Sequence, residues 1–322
     1  MTAAVWSAGG RPEFVRHAIG VALIVLMTVC FAALDANAKY LGQLLPVVVI
    51  LWARYAVQAC VMGGWLGWLR VRHGRSLFVT AHPRFQLMRG ALLLLASVIV
   101  FTGLQYMPVG EFTAVGMLTP VIATVLAAVL LKEKLTPLRT LLVVGGFVGA
   151  ITVVRPGSGL FGFYALFPLT MAFVYALFQL LTRKLSGLED PLTTHFYTGL
   201  IGATLVSVFI WIAPIELLPV LAAAPPLLWG LLLAVGVFGT AGHLCLILGL
   251  GMAPMATLMP FTYLQIAFAS GAGWIIFGHV PDGWAFTGMG IVAVCGAASV
   301  WLSMREASAA VPARNDAAAI AE

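Results

Sequence analysis

The chain reads as an all-α integral membrane protein, with ten transmembrane helices arranged as two five-helix inverted repeats. Three observations predict this. Charge is nearly absent, apolar runs of spanning length recur at regular spacing, and segment boundaries repeat at an offset of 145 residues. Of 322 residues, 62% are hydrophobic and 9% charged, whereas a soluble domain needs roughly a quarter charged to face water. Hydrocarbon offers no hydrogen-bond partners, so a spanning chain must be helical or a closed barrel. Barrel strands alternate apolar and polar, but these runs are apolar on every face, which selects helices.

The runs fall at 18–41, 46–69, 85–107, 110–131, 138–154, 161–182, 192–213, 226–250, 254–277 and 284–303. Each holds about 17–25 residues, enough for roughly 30 Å of hydrocarbon at about 1.5 Å per residue. Turn chemistry separates them, as in Arg155-Pro156-Gly157-Ser158-Gly159 and Glu189-Asp190-Pro191. The expected organisation is a cytoplasmic N-terminal segment 1–17, repeats at 18–155 and 161–304, and a frayed cytoplasmic tail 305–322. Ala36-Asn37-Ala38 resembles a signal-peptidase site, but Asp35 precedes it and the apolar stretch before it is long. The first helix is therefore expected to be retained.

Basic residues set the orientation. With the N-terminus cytoplasmic, Arg11, Arg16, Arg70, Arg72, Arg75, Arg84, Arg89, Lys132, Lys134, Arg139, Arg183, Lys184, Arg305 and Arg314 all fall inside, leaving Lys39, Arg54 and Arg155. Both termini are then cytoplasmic, in a bacterial inner membrane. This distribution ties the net charge of +6 to membrane orientation and argues against a nucleic-acid partner. Shifting by 145 residues lays Lys39 on Lys184, Pro46 on Pro191, Met107 on Met252 and Gly145 on Gly290. Five helices per repeat is odd, so the second half enters the membrane upside down, as in many secondary carriers.

Ionisable groups at membrane depth are costly and mark functional pathways. Asp35 and Lys39 share a helix face, Arg54 lies at similar depth on the next helix, and Gln58 continues the Arg54 face. These side chains could line a polar cavity in which Arg54 grips a carboxylate or phosphate. They could equally staple the first two helices together. Pro120 and Pro260 interrupt helices four and nine, corresponding helices of the two halves though five residues out of register. Such paired breaks point to a binding site, although prolines also serve as simple kinks. Tyr175 and Gln179, with Tyr263 and Gln265, are the cavity candidates of the second half, and His195, Tyr197 and His243 are further buried polar residues. Trp65, Trp68 and Trp211 suit interface anchors or packing. Gly63-x-x-x-Gly67 and Gly145-x-x-x-Gly149 suit close packing within the bundle and could also serve a homodimer. Glu111 opens helix four and Glu133 closes it in a solvated charge cluster. Cys30, Cys60, Cys245 and Cys295 read as small apolar residues, with no metal-site spacing. No phosphate loop, HExxH run or GxSxG elbow occurs, so neither an enzyme nor a cofactor is expected.

Leu130-Leu131-Lys132-Glu133-Lys134-Leu135-Thr136-Pro137, Met252-Ala253-Pro254, Pro260-Phe261-Thr262-Tyr263 and Phe277-Gly278-His279-Val280-Pro281-Asp282 resemble motifs of the drug/metabolite transporter superfamily, EamA type. The resemblance covers about 18–304. It implies a carrier of amino acids, metabolites, nucleobase-like compounds or drugs, and looks most like the branch that includes S-adenosylmethionine uptake carriers. His279 stands where the family pattern has glutamate, which implies altered or pH-dependent gating. The expected function is a secondary carrier for a small organic solute. Arg54 and Asp35 would take its charged ends, and Asp35 is the proton site if transport is proton-coupled. A membrane-embedded enzyme and a non-transporting scaffold are the rivals.

Overall fold

A computed structural model describes residues 13–74, 77–131, 137–155, 160–185, 188–213, 217–222, 224–250, 252 and 258–320. The helices are α1 Glu13–Leu41, α2 Val47–His73, α3 Pro83–Gly103, α4 Val109–Gly116, α5 Thr119–Leu131, α6 Pro137–Val154, α7 Leu166–Leu185, α8 Pro191–Ile212, α9 Leu217–Ala222, α10 Pro226–Leu250, α11 Leu264–Phe277 and α12 Gly283–Ile320. Turns of 3₁₀ helix at Gly162–Ala165 and Met259–Tyr263 lead into α7 and α11. Among the described residues there is no strand. Six helical stretches are long and apolar enough to cross a membrane: Val15–Leu41, Val47–Arg72, Pro83–Gly103, Gly162–Thr182, Pro191–Ile212 and Pro226–Gly249. Shorter apolar helices run at Val109–Ala123, Thr140–Val154, Phe261–Phe277 and Gly283–Ser299.

One expectation is refined and one needs correction. Helix four is interrupted at Met117–Leu118, and Pro120 is the second residue of the helix that resumes. Proline fits a helix start, where its missing N–H costs nothing. The segment expected to fray, 305–320, continues α12 as helix, in keeping with its alanine content. Glu133 and most of the surrounding Lys132–Pro137 motif lie outside the described residues, as do Arg11 and Arg75.

The main packing partners join the two halves of the chain: α1 with α10, α2 with α8, α3 with α7, α4 with α11 and α6 with α12. Glycines set these approaches. On α8, a Cβ at Gly199 would stand 2.9 Å from the Ala59 backbone nitrogen, and one at Gly202 would stand 2.3 Å from the Tyr55 ring. Gly149 meets Val292 and the Gly288 carbonyl, so the Gly145-x-x-x-Gly149 face is used within the chain. Gly63 packs on Phe196, whereas Gly67 faces open space. Trp68 and Trp211 are exposed and Trp65 is half-buried.

Candidate functional site

Arg54 is 4% exposed, and its guanidinium lies against the Tyr55 and Phe101 rings. Its hydrogen-bond partner is the Ser97 hydroxyl, which also meets Tyr55 Oη at 2.7 Å and donates to the Leu93 carbonyl. The Arg54 Nε is buried without a partner. Asp35 is half-buried, and Arg54 is the charge that acts on it. Among the described residues no ion pair or hydrogen bond satisfies its carboxylate. Buried charges in a bilayer are normally paired with each other. Here cation and anion are neighbours that do not close on one another.

Lys39 is used elsewhere. Its ammonium donates to the carbonyls of Leu104 and Met107, at 2.5 and 2.7 Å, and stands 5.6 Å from the Phe277 ring. It ties down the turn that leads from α3 into α4. The same end of the bundle carries three more links. Glu111, buried on α4, meets His279 Nε2 at 2.7 Å through Oε1 while its Oε2 is unpartnered. Arg155 pairs with Asp282 at 2.7 Å, and Tyr106 stacks on Tyr164 at 4.0 Å. Gly278, at φ 66°, ends α11 in the left-handed conformation and turns His279 toward Glu111.

Gln58, one turn along α2 from Arg54, is buried and bonds across to α8. Its Nε2 donates to the His195 carbonyl at 3.1 Å and meets His195 Nδ1 at 3.2 Å. The carbonyl fixes the amide's orientation, so Nδ1 accepts and the ring proton sits on Nε2. The His195 and His243 rings lie 5.8 Å apart and nearly parallel. His243 Nδ1 donates to the Gly239 carbonyl at 2.9 Å, and both Nε2 atoms are buried without partners.

Arg89, expected among the cytoplasmic charges, is instead 5% exposed inside the bundle. It lies six residues into α3, where hydroxyls replace water. Nε donates to Thr182 Oγ1 at 2.8 Å, and Nη1 donates to the Thr194 carbonyl at 3.1 Å and to the Thr198 hydroxyl. The guanidinium covers the Phe178 ring at 4.7 Å. Tyr175 is half-buried where the charges of Arg54, Arg89 and Asp35 all reach it. The structure thus brings Asp35, Arg54, Gln58 and Tyr175 together and adds Arg89, His195 and His243. Gln179 is exposed one turn from Tyr175. Tyr263 packs among Ala114, Leu118, Met289 and Val292 with its hydroxyl against Gly296, and Gln265 is buried beside Ile266. Pro260 lies in the 3₁₀ turn before α11. Tyr197 donates to the Phe78 carbonyl at 2.8 Å, a tie to the loop before α3.

Residues 18–155 and 162–302 each match the EamA-like transporter family. The chain is 26% identical to the riboflavin transporter of Brucella anthropi, over 78% of this chain and 88% of that one. It is 24% identical to the S-adenosylmethionine uptake transporter of Rickettsia bellii, over 83% and 88%. It is 27% identical to a pseudopaline exporter of Pseudomonas aeruginosa, over 85% and 93%. A solved crystal structure superposes with a TM-score of 0.61 at 17% identity, covering 90% of this chain and 98% of that one, and shares the fold. Apolar helices of spanning length and a polar interior agree with these relatives: the protein is a multi-pass membrane transporter and not an enzyme, and the chain belongs to the EamA-like transporter family.

Proposed function

We propose that the protein is a secondary carrier that moves a small organic metabolite by alternating access. Its site lies between two inverted five-helix halves, 18–155 and 161–304, with both termini on the cytoplasmic side of a bacterial inner membrane. The observation that carries this reading is the open pairing of Arg54 and Asp35. A buried arginine whose hydrogen bond goes to a serine, beside a carboxylate it does not grip, leaves room for a solute's charged ends. Tyr175, Gln58 and the two histidines would shape the rest of the pocket, and Tyr263 and Gln265 would support it from α11. The packing pattern supports the inverted halves, since exchanging them exchanges α1–α10 with α3–α7 and returns the other pairings to themselves.

The links at the Glu111 end support a state closed on that side. Opening it would require Lys39 to leave the Leu104 and Met107 carbonyls and His279 to leave Glu111. The solute's own gradient or a proton gradient would drive transport, with Asp35 as the proton site. Counterflow into liposomes containing the purified protein tests the reading. Asp35→Asn and Arg54→Ala should each lower the rate at least tenfold, and unchanged rates would remove both residues from the mechanism. Tags placing the two chain ends on opposite sides of the membrane would end the inverted-repeat reading.

A further inference from the structure

The charges around Tyr175 do not balance. Arg54 and Arg89 are both buried and neither closes an ion pair, while Asp35 is the one carboxylate among the described groups acting on that tyrosine. The histidines leave the sum unchanged. His195 accepts at Nδ1 from Gln58 and so is neutral, and His243 holds its proton at Nδ1 against Gly239. Arg89 is also not tied off in the way a structural arginine would be. Its partners are hydroxyls and a carbonyl, with no acid among them, and Nη2 takes part in no hydrogen bond among the described residues. Arg54 is alike in having no acid partner: its hydrogen bond goes to Ser97, and its Nε is buried without a partner. Their anchors on α3, Ser97 and Arg89, are eight residues apart, or about 12 Å along the helix. Uncompensated positive charge in a low-dielectric interior is costly, and a ligand that neutralises it recovers that cost.

We propose that the solute is a net anion: its acidic group engages Arg89, while its remainder spans past Tyr175 toward Arg54 and Asp35. This rests on the carrier reading above and narrows its substrate class. A net cation would meet two arginines against one carboxylate, and a neutral solute would leave one arginine unanswered.

The test uses full-length protein in detergent and three pairs of probes alike in shape and unlike in charge. These are riboflavin against riboflavin 5′-phosphate, glutamine against glutamate, and S-adenosylmethionine against S-adenosylhomocysteine. Affinity is read from the ligand-induced rise in unfolding temperature. The more negative member should bind more tightly in every pair that binds, by roughly tenfold, which is what one charge-assisted hydrogen bond supplies. Arg89→Gln should erase that preference and Arg89→Lys should keep most of it. Because the wild-type ranking stands alone, a misfolded variant does not blunt the test. Equal or tighter binding of the more positive members, or failure of every anionic probe to bind, overturns the proposal. Counterflow of a neutral probe with no preference for its anionic partner would leave the carrier standing and remove this inference alone.

Discussion

Replacing His279 with glutamate restores the pattern of the resembling family, yet the geometry here makes it disruptive. His279 Nε2 lies 2.7 Å from Glu111 Oε1, and Glu111 is buried with its other oxygen unpartnered. A carboxylate in place of the imidazole would face that carboxylate at about 4 Å. Two like charges at that distance repel by about 4 kcal/mol at an effective dielectric of about 20. The His279 side chain is 40% exposed, so solvent screening brings the figure to about 2 kcal/mol, roughly a 30-fold shift in an equilibrium. The shift opposes closure of this end, because α4 and α11 meet there. Ser270 packs against Gly110 just inside the seal, so Ser270→Cys in a cysteine-free background reports its opening to a membrane-impermeant maleimide. His279→Glu should raise the labelling rate on the order of 30-fold at pH 8. His279→Gln, which can still donate to Glu111, should stay within about threefold of wild type. Labelling of His279→Glu at the wild-type rate at pH 8 would refute the pairing as a seal.

Three further outcomes follow from the packing. Lys39→Met strands the Leu104 and Met107 carbonyls, each bond of this kind contributing about 1.5–3 kcal/mol, and should lower the unfolding temperature in detergent, with Lys39→Arg recovering part of the loss. Gly202→Ala places a methyl 2.3 Å from the buried Tyr55 ring and should cost about 1–3 kcal/mol in the same assay, while Gly67→Ala, facing open space, should be neutral. Glu189 lies outside the spans. Burial pushes its carboxyl up, but donation from Thr80, the His82 backbone and side chain, and the Ala81 backbone outweighs that and holds it below its ordinary 4.5. A depressed folded value stabilises above the unfolded one, so the stability gap between wild type and Glu189→Gln should be full above about pH 4.5 and shrink as pH falls further. A gap that widens on acidification would reverse this account.

The apolar helices were legible because an environment without water imposes one simple rule on every residue of a long run. The apolar stretch 226–250 coincides with α10, and 138–154 begins one residue inside α6. Asp35 and Arg54 were legible for the same reason, since a charge amid apolar neighbours is too costly to persist without a use. Arg89 was not, because it follows Arg70, Arg72, Arg75 and Arg84 and looks like the last member of a loop's basic cluster. A signal existed: Pro83 starts the helix, which puts residue 89 nearly two turns inside it, and Thr194 and Thr198 are four apart on α8. Their convergence depends on which helix packs on which, and the local sequence of α3 does not state that.

The 145-residue offset also misled in one respect. It equates Lys39 with Lys184, yet Lys39 holds the turn after α3, whereas Lys184 is exposed with its ammonium 5.0 Å from the Phe85 ring. The two halves keep step in helix boundaries while dividing the polar work unequally. Asp35, Arg54 and Arg89 come from the first half. Thr182, Thr194, His195, Thr198 and His243, the hydroxyls and imidazoles around them, come from the second. Helix boundaries answer to the thickness of the hydrocarbon, which both halves meet alike. Buried charges answer to whatever faces them across the interface, and each half faces the other rather than a copy of itself. A repeat read from segment boundaries is therefore a poor guide to where buried charges find their partners.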